Sequence, residues 1–212
     1  MSETPTTLLM ARHGDVAGIA PPRFRGRTEL ELSEQGHAQA EKLAARLVRL
    51  GAVDAVYRSP RERCRQTAEP FLRRCSLGAK ALQAEALAQL DDIDYGGWTW
   101  RAHQEVEAET PEAFRLWHER PELMRFPDGE SLPDVLARAA DGVRLVLDRH
   151  AGGTVLFVTH DSVVRALVLL LTGLPLAAYH QITVSPCSLT EFRVSGVHSA
   201  VIRLNETGHL DA

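Results

Sequence analysis

Cysteine is scarce in this chain. Among its 212 residues there are three, Cys64, Cys75 and Cys187, and their spacing matches no metal-binding pattern. Their number is odd, and the polar start from Met1 to Thr7 lacks the charged-then-apolar order of a secretory signal. These features predict a reduced, cytoplasmic protein without a disulfide framework.

Long apolar runs are also missing. The most apolar stretch, Val163 to Leu176, is interrupted by Arg165, Gly173 and Pro175. A transmembrane helix needs about 20 consecutive apolar residues, so this stretch predicts a core helix and no membrane partner.

Neither sign of charge dominates, since the formal net charge is −4. The composition therefore gives no electrostatic reason to expect a nucleic-acid partner. Lysine is rare, because only two of the 24 basic residues are lysines and the rest are arginines. Arginine suits bidentate phosphate binding, although arginine-rich usage also arises from codon composition alone.

Strand-like and helix-like segments alternate along the chain. With 44% hydrophobic residues, the length suits one α/β domain over residues 1–212. We expect a three-layer sandwich with a mostly parallel central sheet and helices on both faces. The predicted strands are Thr7 to Ala11, Asp54 to Tyr57, Ala79 to Ala84, Thr154 to Thr159, a short one at Thr183, Leu189 to Val194 and Ala200 to Leu204. The predicted helices run from Ser33 to Leu50, from a Ser59 cap with Pro60 in the first turn to Arg74, from Thr110 through His118, from Ser131 to His150 and from Asp161 to Leu171.

Two histidines directly follow predicted buried strands. Arg12-His13-Gly14 comes straight after the first strand, and His160 straight after the Thr154 strand. Ligands of open α/β sheets bind at this carboxyl edge. The pair predicts phosphate chemistry with a histidine nucleophile, because a neighbouring arginine disfavours protonated imidazole and keeps its lone pair available.

A second arginine is expected from the segment that follows the second strand. Arg58, Arg61, Arg63 and Arg65 lie where a strand passes into a helix, a geometry that suits anions. Helical spacing points them in different directions, so most belong to a solvated face.

A metal site is the rival interpretation of the second histidine. Its ligands would be His160, Asp161 and either Asp91 or Asp92, whose spacing matches no known ligand pattern. We therefore predict neither a metal nor another cofactor.

The ordered set of motifs resembles the histidine phosphatase superfamily, the phosphoglycerate mutase-like family. The resemblance extends over nearly the whole chain. Its motifs are Leu9 to Gly14, Arg23 to Gly26, Leu32 to Gly36 with Gln39-Ala40, Ser59 to Ala68, Leu90 to Trp98, Gly129 to Ser131 and Val158 to His160.

The resemblance implies roles for particular residues. His13 takes the place of the phosphorylated nucleophile, and Arg12, Arg63 and His160 form the phosphate clamp. Asp92 stands where the family usually has a glutamate as proton donor. Asp91 and Asp94 compete with it for that role, and Arg25 and Ser162 are further candidates for substrate binding.

Some positions depart from the family pattern. The asparagine expected near Ile19 is absent, and Trp98-Thr99-Trp100 replaces the usual Trp-Glu-Gly. Either tryptophan is a candidate for lining the pocket, although core packing explains at least one of them. These departures affect the identity of the substrate more than the reaction.

The predicted function is a metal-independent phosphomonoesterase that hydrolyses a small phosphorylated metabolite through a phosphohistidine. One alternative is a phosphoglycerate mutase, which needs a cover and a basic cluster that residues 100–130 do not display. Another is an inactive phosphate-binding regulatory module. The physiological substrate and the oligomeric state stay open, with a homodimer among the alternatives.

Overall fold

The computed structural model describes residues 4–17, 21–76 and 82–211. Within these ranges the strands are β1 (Thr6–Arg12), β2 (Ala55–Arg58), β3 (Ala84–Ala86), β4 (Thr154–Thr159), β5 (Leu189–Ser195) and β6 (His198–Glu206). The α-helices are α1 (Glu34–Leu50), α2 (Glu62–Cys75), α3 (His103–Glu109), α4 (Pro111–Glu119), α5 (Leu132–Arg149) and α6 (Asp161–Thr172). No helix in the described ranges is both long and apolar enough to cross a membrane.

The strands form one sheet in the order β3-β2-β4-β1-β5-β6. The first four strands in this order are parallel, and β5 and β6 continue the sheet with antiparallel pairing. The predicted mostly parallel α/β sheet is confirmed. Since β4 lies between β1 and β2, the carboxyl ends of these three strands meet at one place, where the chain order switches.

Alternate residues of the central strands face two separate cores. Leu8 and Met10 of β1 belong to the core shared with α5 and α6, while Leu9 and Ala11 belong to the core shared with α1 and α2. This explains why β1 is a continuous apolar run, because a strand covered on both faces has no polar side. The sheet therefore has helices on both faces, which is the predicted three-layer sandwich.

The loop after β1 is anchored by residues of the sequence motifs. Gly14 N–H donates to Thr67 Oγ1 at 3.0 Å, and Asp15 N–H donates to Gln39 Oε1 at 2.8 Å. Ser33 caps α1 by accepting from Gly36 N–H at 3.0 Å, and its hydroxyl donates to Asp15 at 2.7 Å. These bonds fix the chain immediately after His13.

The structure corrects the predicted start of α2. The helix begins at Glu62 with Arg61 at its N-cap, two residues later than a Ser59 cap requires. The reason is that the Ser59 hydroxyl lies against His160 Nε2 at 2.8 Å and accepts from Arg61 N–H at 3.3 Å. The side chain expected to cap a helix belongs to the site.

Other predicted elements differ as well. No strand forms at Thr183 in the described chain, and the carbonyl of neighbouring Val184 accepts from Arg12 Nη1 at 2.7 Å rather than from a strand. Helix α3 was not predicted, because Val106 is its one buried residue and gives no periodicity. The third strand begins only at Ala84, and residues 79–81 lie outside the described ranges, as does Ile19.

The contact between the β1 loop and α1 yields a stability prediction. A Cβ added to Gly36 would lie 2.0 Å from the Asp15 carbonyl oxygen, a backbone atom that cannot rotate away. We expect Gly36→Ala to lower the free energy of unfolding by about 1–3 kcal/mol, as overpacking does, in chemical denaturation. Gly208→Ala is the matched control, because a Cβ there meets nothing within 4 Å. Equal stability of the two variants would contradict the close approach.

Candidate active site

His13 lies at the carboxyl end of β1 with one ring nitrogen fixed. Its backbone N–H donates to the Thr159 carbonyl at 2.9 Å, which holds it beside the end of β4. Its Nδ1 lies 2.7 Å from the Gly14 carbonyl oxygen. A carbonyl only accepts, so the ring proton is on Nδ1 and Nε2 carries the lone pair. This is the tautomer that a nucleophilic imidazole needs.

The surroundings of His13 keep it neutral. Burial lowers the pKa of His13 well below its ordinary value, and the positive charges of Arg63 and Arg12 lower it further. Both effects disfavour the imidazolium. The expectation that neighbouring arginines keep the lone pair available agrees with this direction, although burial is the larger cause.

A cavity in the described part of the chain is lined by His13. Of the four arginines between Arg58 and Arg65, Arg63 alone lines this cavity. Its side chain is 1% exposed, and it donates to the carbonyls of Gly26 and Thr28 at 2.7 Å each. Nη2 also contacts Asp92 Oδ2 at 3.0 Å and His160 Nδ1 at 3.2 Å. The guanidinium therefore connects two other predicted site residues, Asp92 and His160.

The other arginines of that segment have different partners. Arg65 forms ion pairs with Glu62 and Glu69 on the exposed face of α2, and Arg58 donates to nearby carbonyls. Arg61 is less exposed than a solvated face implies, because it binds Asp91 with Nη2 2.7 Å from Oδ2.

His160 lies behind Arg63 and is fully buried. The Ser59 hydroxyl donates to Asp91, at 3.3 Å, so it accepts from Nε2–H of His160 at 2.8 Å. Nδ1 then carries the lone pair that faces the Arg63 guanidinium. Burial and then the charge of Arg63 lower the pKa of His160 well below its ordinary value.

His13 and His160 are close neighbours. Their ring centroids lie 5.2 Å apart in an edge-to-face arrangement. The proximity follows from the pairing of β1 with β4, which places Arg12 opposite Thr159, so both strands end at the same level.

The environment of Asp92 favours its protonated form more than solvent would. Burial raises its pKa, and the negative charge of Asp161 adds to this, while Arg63 opposes it. Its Oδ2 lies 3.4 Å from His160 Nδ1, and Arg63 Nη2 contacts both atoms. Burial therefore shifts the pKa of Asp92 in the direction that a proton donor needs.

The neighbouring aspartates differ from Asp92. Asp91 is buried, which raises its pKa, but its hydrogen bonds with Arg61 and the Asp92 N–H outweigh burial and the pKa is lowered. Asp94 accepts from Gly96 N–H at 2.9 Å and pairs with Arg27 at 3.3 Å. Of the three, Asp92 lines the cavity, which favours it as the proton donor.

A pair of arginines supports the loop that carries Asp92. Arg138 donates to the carbonyls of Asp91 at 2.6 Å and Asp92 at 3.0 Å, and Arg27 donates to the Asp92 carbonyl at 3.1 Å. Glu130 accepts from both arginines, at 2.8 Å and 2.9 Å. Glu130 of the Gly129 to Ser131 motif therefore helps to hold the donor loop.

Of the remaining predicted site residues, some line the cavity and others lie behind its wall. Arg12 and Arg25 line the cavity with His13. Ser162 is buried, and its hydroxyl donates to Asp92 Oδ1 at 2.6 Å, so it orients the carboxyl group instead of facing the cavity. His160 is likewise absent from the cavity wall and contacts it through Arg63 and Asp92.

The cavity has a volume of about 270 Å³ and includes residues that the sequence analysis did not assign to the site. Among them are Arg23, Tyr95, His103, Trp117, His118, Arg165, Tyr179 and His180, and Asp161, named above only as a rival metal ligand, also lines the cavity. Trp98 is buried in the core and Trp100 is partly exposed, and neither lines the cavity. Asp161 and Arg165 lie four residues apart in the helix after His160, and this spacing places both on one face of that helix. No sequence pattern indicates His180.

No group of three or more histidine, cysteine or acidic side chains in the described ranges is arranged to hold a metal ion. His160 and Asp92 are adjacent, as the rival interpretation required, but Arg63 donates to both. A guanidinium takes the place that a cation would need.

Comparison with known proteins agrees with this geometry. The model of the histidine phosphatase superfamily (branch 1) matches residues 8–207. The chain belongs to the histidine phosphatase superfamily. It is 31% identical over 203 residues to phosphoserine phosphatase 1 of Hydrogenobacter thermophilus, which covers 96% of this chain and 93% of that protein.

Two further relatives show how far the likeness extends. The bifunctional protein Rv2228c of Mycobacterium tuberculosis is 32% identical over 98% of this chain, which spans 56% of that protein's length. The solved structure of Bacillus stearothermophilus YhfR superimposes with a TM-score of 0.88 at 30% identity, covering 97% of this chain and 99% of that one. The phosphoglycerate mutase-like fold is thus confirmed, and the protein is a phosphoric monoester hydrolase.

The choice between the aspartates can be tested through the leaving group. We expect Asp92→Asn to slow hydrolysis of alkyl phosphates by about 10²–10⁴-fold, the usual contribution of a general acid. Cleavage of p-nitrophenyl phosphate should slow far less, because nitrophenolate leaves without a proton. Steady-state kcat on both substrates measures the difference, with Asp91→Asn as the matched control. If the control alone shows this selectivity, Asp91 is the donor.

Proposed function

We propose that this phosphatase hydrolyses a small phosphorylated metabolite through a phosphohistidine on His13, without a metal ion. The observation that carries the proposal is the Nδ1–H bond of His13 to the Gly14 carbonyl. This hydrogen bond leaves the Nε2 lone pair free, in a site where burial and then two arginines lower the pKa of the ring.

The first step transfers the phosphoryl group. The Nε2 lone pair of His13 attacks phosphorus, and the bond from phosphorus to the leaving oxygen breaks. Asp92 gives its proton to that oxygen, so the product leaves as an alcohol. Arg12 and Arg63 stabilise the charge on the equatorial oxygens, and His160 assists through Arg63.

The second step restores the enzyme. Asp92, now a carboxylate, takes a proton from water, and the oxygen of that water attacks the phosphohistidine. The bond between nitrogen and phosphorus breaks, inorganic phosphate forms, and the electron pair returns to Nε2. Asp92 is again protonated, ready for the next substrate.

Substrate binding itself favours the protonated state of Asp92. In the ligand-free site Arg63 partly offsets the effect of burial on the Asp92 pKa. A phosphate dianion beside Arg63 would compete for that guanidinium and bring negative charge towards the carboxyl group. Both changes raise the pKa of Asp92. The carboxyl group therefore gains its proton when substrate binds, before it has to protonate the leaving oxygen.

The size of the cavity supports a metabolite as the substrate. Its volume of about 270 Å³ is just below the roughly 300–1,000 Å³ of sites for drug-sized ligands. The relative named phosphoserine phosphatase 1 makes phosphorylated amino acids one class to assay. We also propose that the enzyme is cytoplasmic, where its three free cysteines stay reduced.

The covalent intermediate provides the test. Rapid quench with ³²P-labelled substrate, in EDTA throughout, should label the peptide that contains His13, with an acid-labile and base-stable bond. His13→Ala should lose at least about 10³-fold in kcat, since the nucleophile itself is removed. The exposed His37 provides the matched control, and His37→Ala should keep both label and rate. An unlabelled peptide at normal turnover, or activity that returns only with a divalent metal, contradicts the proposal.

A further inference from the structure

The two arginines that stabilise the phosphoryl group in the proposed reaction are held in different ways. Arg63 donates to two backbone carbonyls and contacts Asp92 and His160. Within the described ranges the Arg12 guanidinium makes one hydrogen bond, from Nη1 to the Val184 carbonyl at 2.7 Å. Arginine is among the side chains that lose most rotamer freedom when they are fixed. The direction of Arg12 therefore depends on where the Val184 carbonyl lies.

Val184 begins a short segment that has neither helix nor strand, residues 184–188, which we call the clamp loop. The loop also contacts the backbone of the site, because the Cys187 N–H is shared between the carbonyls of Arg12 at 3.1 Å and His13 at 3.3 Å. Cys187 has a φ of 52°, in the left-handed region that a side chain disfavours. A strained backbone persists only where its surroundings hold it.

Two side chains from the end of β6 and the turn after it hold the clamp loop. The Ser185 N–H donates to Asn205 Oδ1 at 2.7 Å. His209 Nε2 lies 3.0 Å from the Cys187 carbonyl oxygen, and since a carbonyl only accepts, this nitrogen carries the proton. These bonds join residues that are 20 and 22 positions apart in the chain. The loop is thus fastened at two points on the side away from Arg12.

Packing alone does not account for these two side chains. His209 is buried, and its Nδ1 has no hydrogen-bond partner among the described residues. Such an atom costs stability, which an apolar side chain in the same place would avoid. Neither Asn205 nor His209 lines the cavity, so neither touches the substrate. What both have in common is a hydrogen bond to the loop that directs Arg12.

We propose that Asn205 and His209 are positioning residues for Arg12, an inference that rests on the proposed function. They hold the clamp loop so that the Val184 carbonyl directs the guanidinium at the phosphoryl group. Displacing a catalytic group by about 1 Å can lower a rate by about 10²-fold. Two residues outside the cavity therefore contribute to phosphate binding and to the rate.

Variants of Asn205 separate its side chain from its backbone. Its φ is 50°, so Asn205→Gly keeps the conformation and removes the acceptor, whereas Asn205→Asp keeps the acceptor. We expect Asn205→Gly to lower kcat/KM by about 3–10-fold, the effect of one hydrogen bond. The factor should be equal for O-phosphoserine and p-nitrophenyl phosphate, because they share the phosphoryl group. Inhibition by vanadate, a transition-state analogue, should weaken equally. Asn205→Asp should keep most of the rate.

Variants of His209 test the second bond. His209→Leu removes the donor and should show the same uniform loss, while His209→Gln keeps an N–H donor and should restore most of the rate. Ser199→Ala is the matched control, because it removes a hydrogen bond between β6 and the Leu171 carbonyl, and it should keep normal kinetics. Circular dichroism during thermal unfolding verifies folding. If His209→Leu does not fold, the Asn205 pair carries the test.

A double-mutant cycle distinguishes positioning from a general structural role. Arg12→Met removes the guanidinium, so the direction set by the clamp loop no longer matters. Adding Asn205→Gly to it should then cause no further loss of kcat/KM on p-nitrophenyl phosphate, whereas independent effects multiply. Arg12→Lys takes the place of Arg12→Met if the latter has no measurable rate.

The outcomes separate this inference from the proposed function. Losses that multiply in the double variant, or normal kcat/KM in folded Asn205→Gly and His209→Leu, overturn the positioning role and leave the phosphatase standing. A loss confined to O-phosphoserine places the effect at the leaving group and overturns it too. Normal turnover by Arg12→Met alone counts against the proposed function instead.

Discussion

The buried guanidinium of Arg63 is the interaction on which the site depends. It is held by two backbone carbonyls, those of Gly26 and Thr28, and reaches Asp92 and His160 with one nitrogen. Its charge lowers the pKa of both site histidines and opposes the raised pKa of Asp92. One cation therefore reinforces the effect of burial on the nucleophile and opposes the effect of burial on the acid. Such a buried charge is tolerated because each of its neighbours accepts a hydrogen bond.

Much of this arrangement could be predicted from the sequence, for a physical reason. β1 and β4 are apolar throughout because both faces are covered, and the residues after such strands lie at the ligand-binding edge. His13 and His160 were placed together on that basis alone, and the strand pairing confirms their proximity. The family resemblance added Arg63 and Asp92, which the structure also brings to this edge.

Other parts could not be predicted because they depend on contacts between distant segments. Ser59 has the spacing of a helix cap, but its hydroxyl lies against His160, 101 residues later in the chain. Ser162 follows the site histidine and was expected to face substrate, yet it donates to Asp92. Arg165 interrupts an apolar helix, and only the position of Tyr179 shows that it faces the cavity. A local pattern identifies a polar side chain but not its partner.

The central claim is that His13 is a neutral imidazole with its proton on Nδ1. Long-range ¹H–¹⁵N correlation spectra of uniformly ¹⁵N-labelled protein report both tautomer and charge, and the His13→Ala spectrum assigns the signal. The account predicts the Nδ1–H tautomer for His13, with protonation only well below the ordinary imidazole value of 6.5. A proton on Nε2, or titration at or above that value, would contradict it.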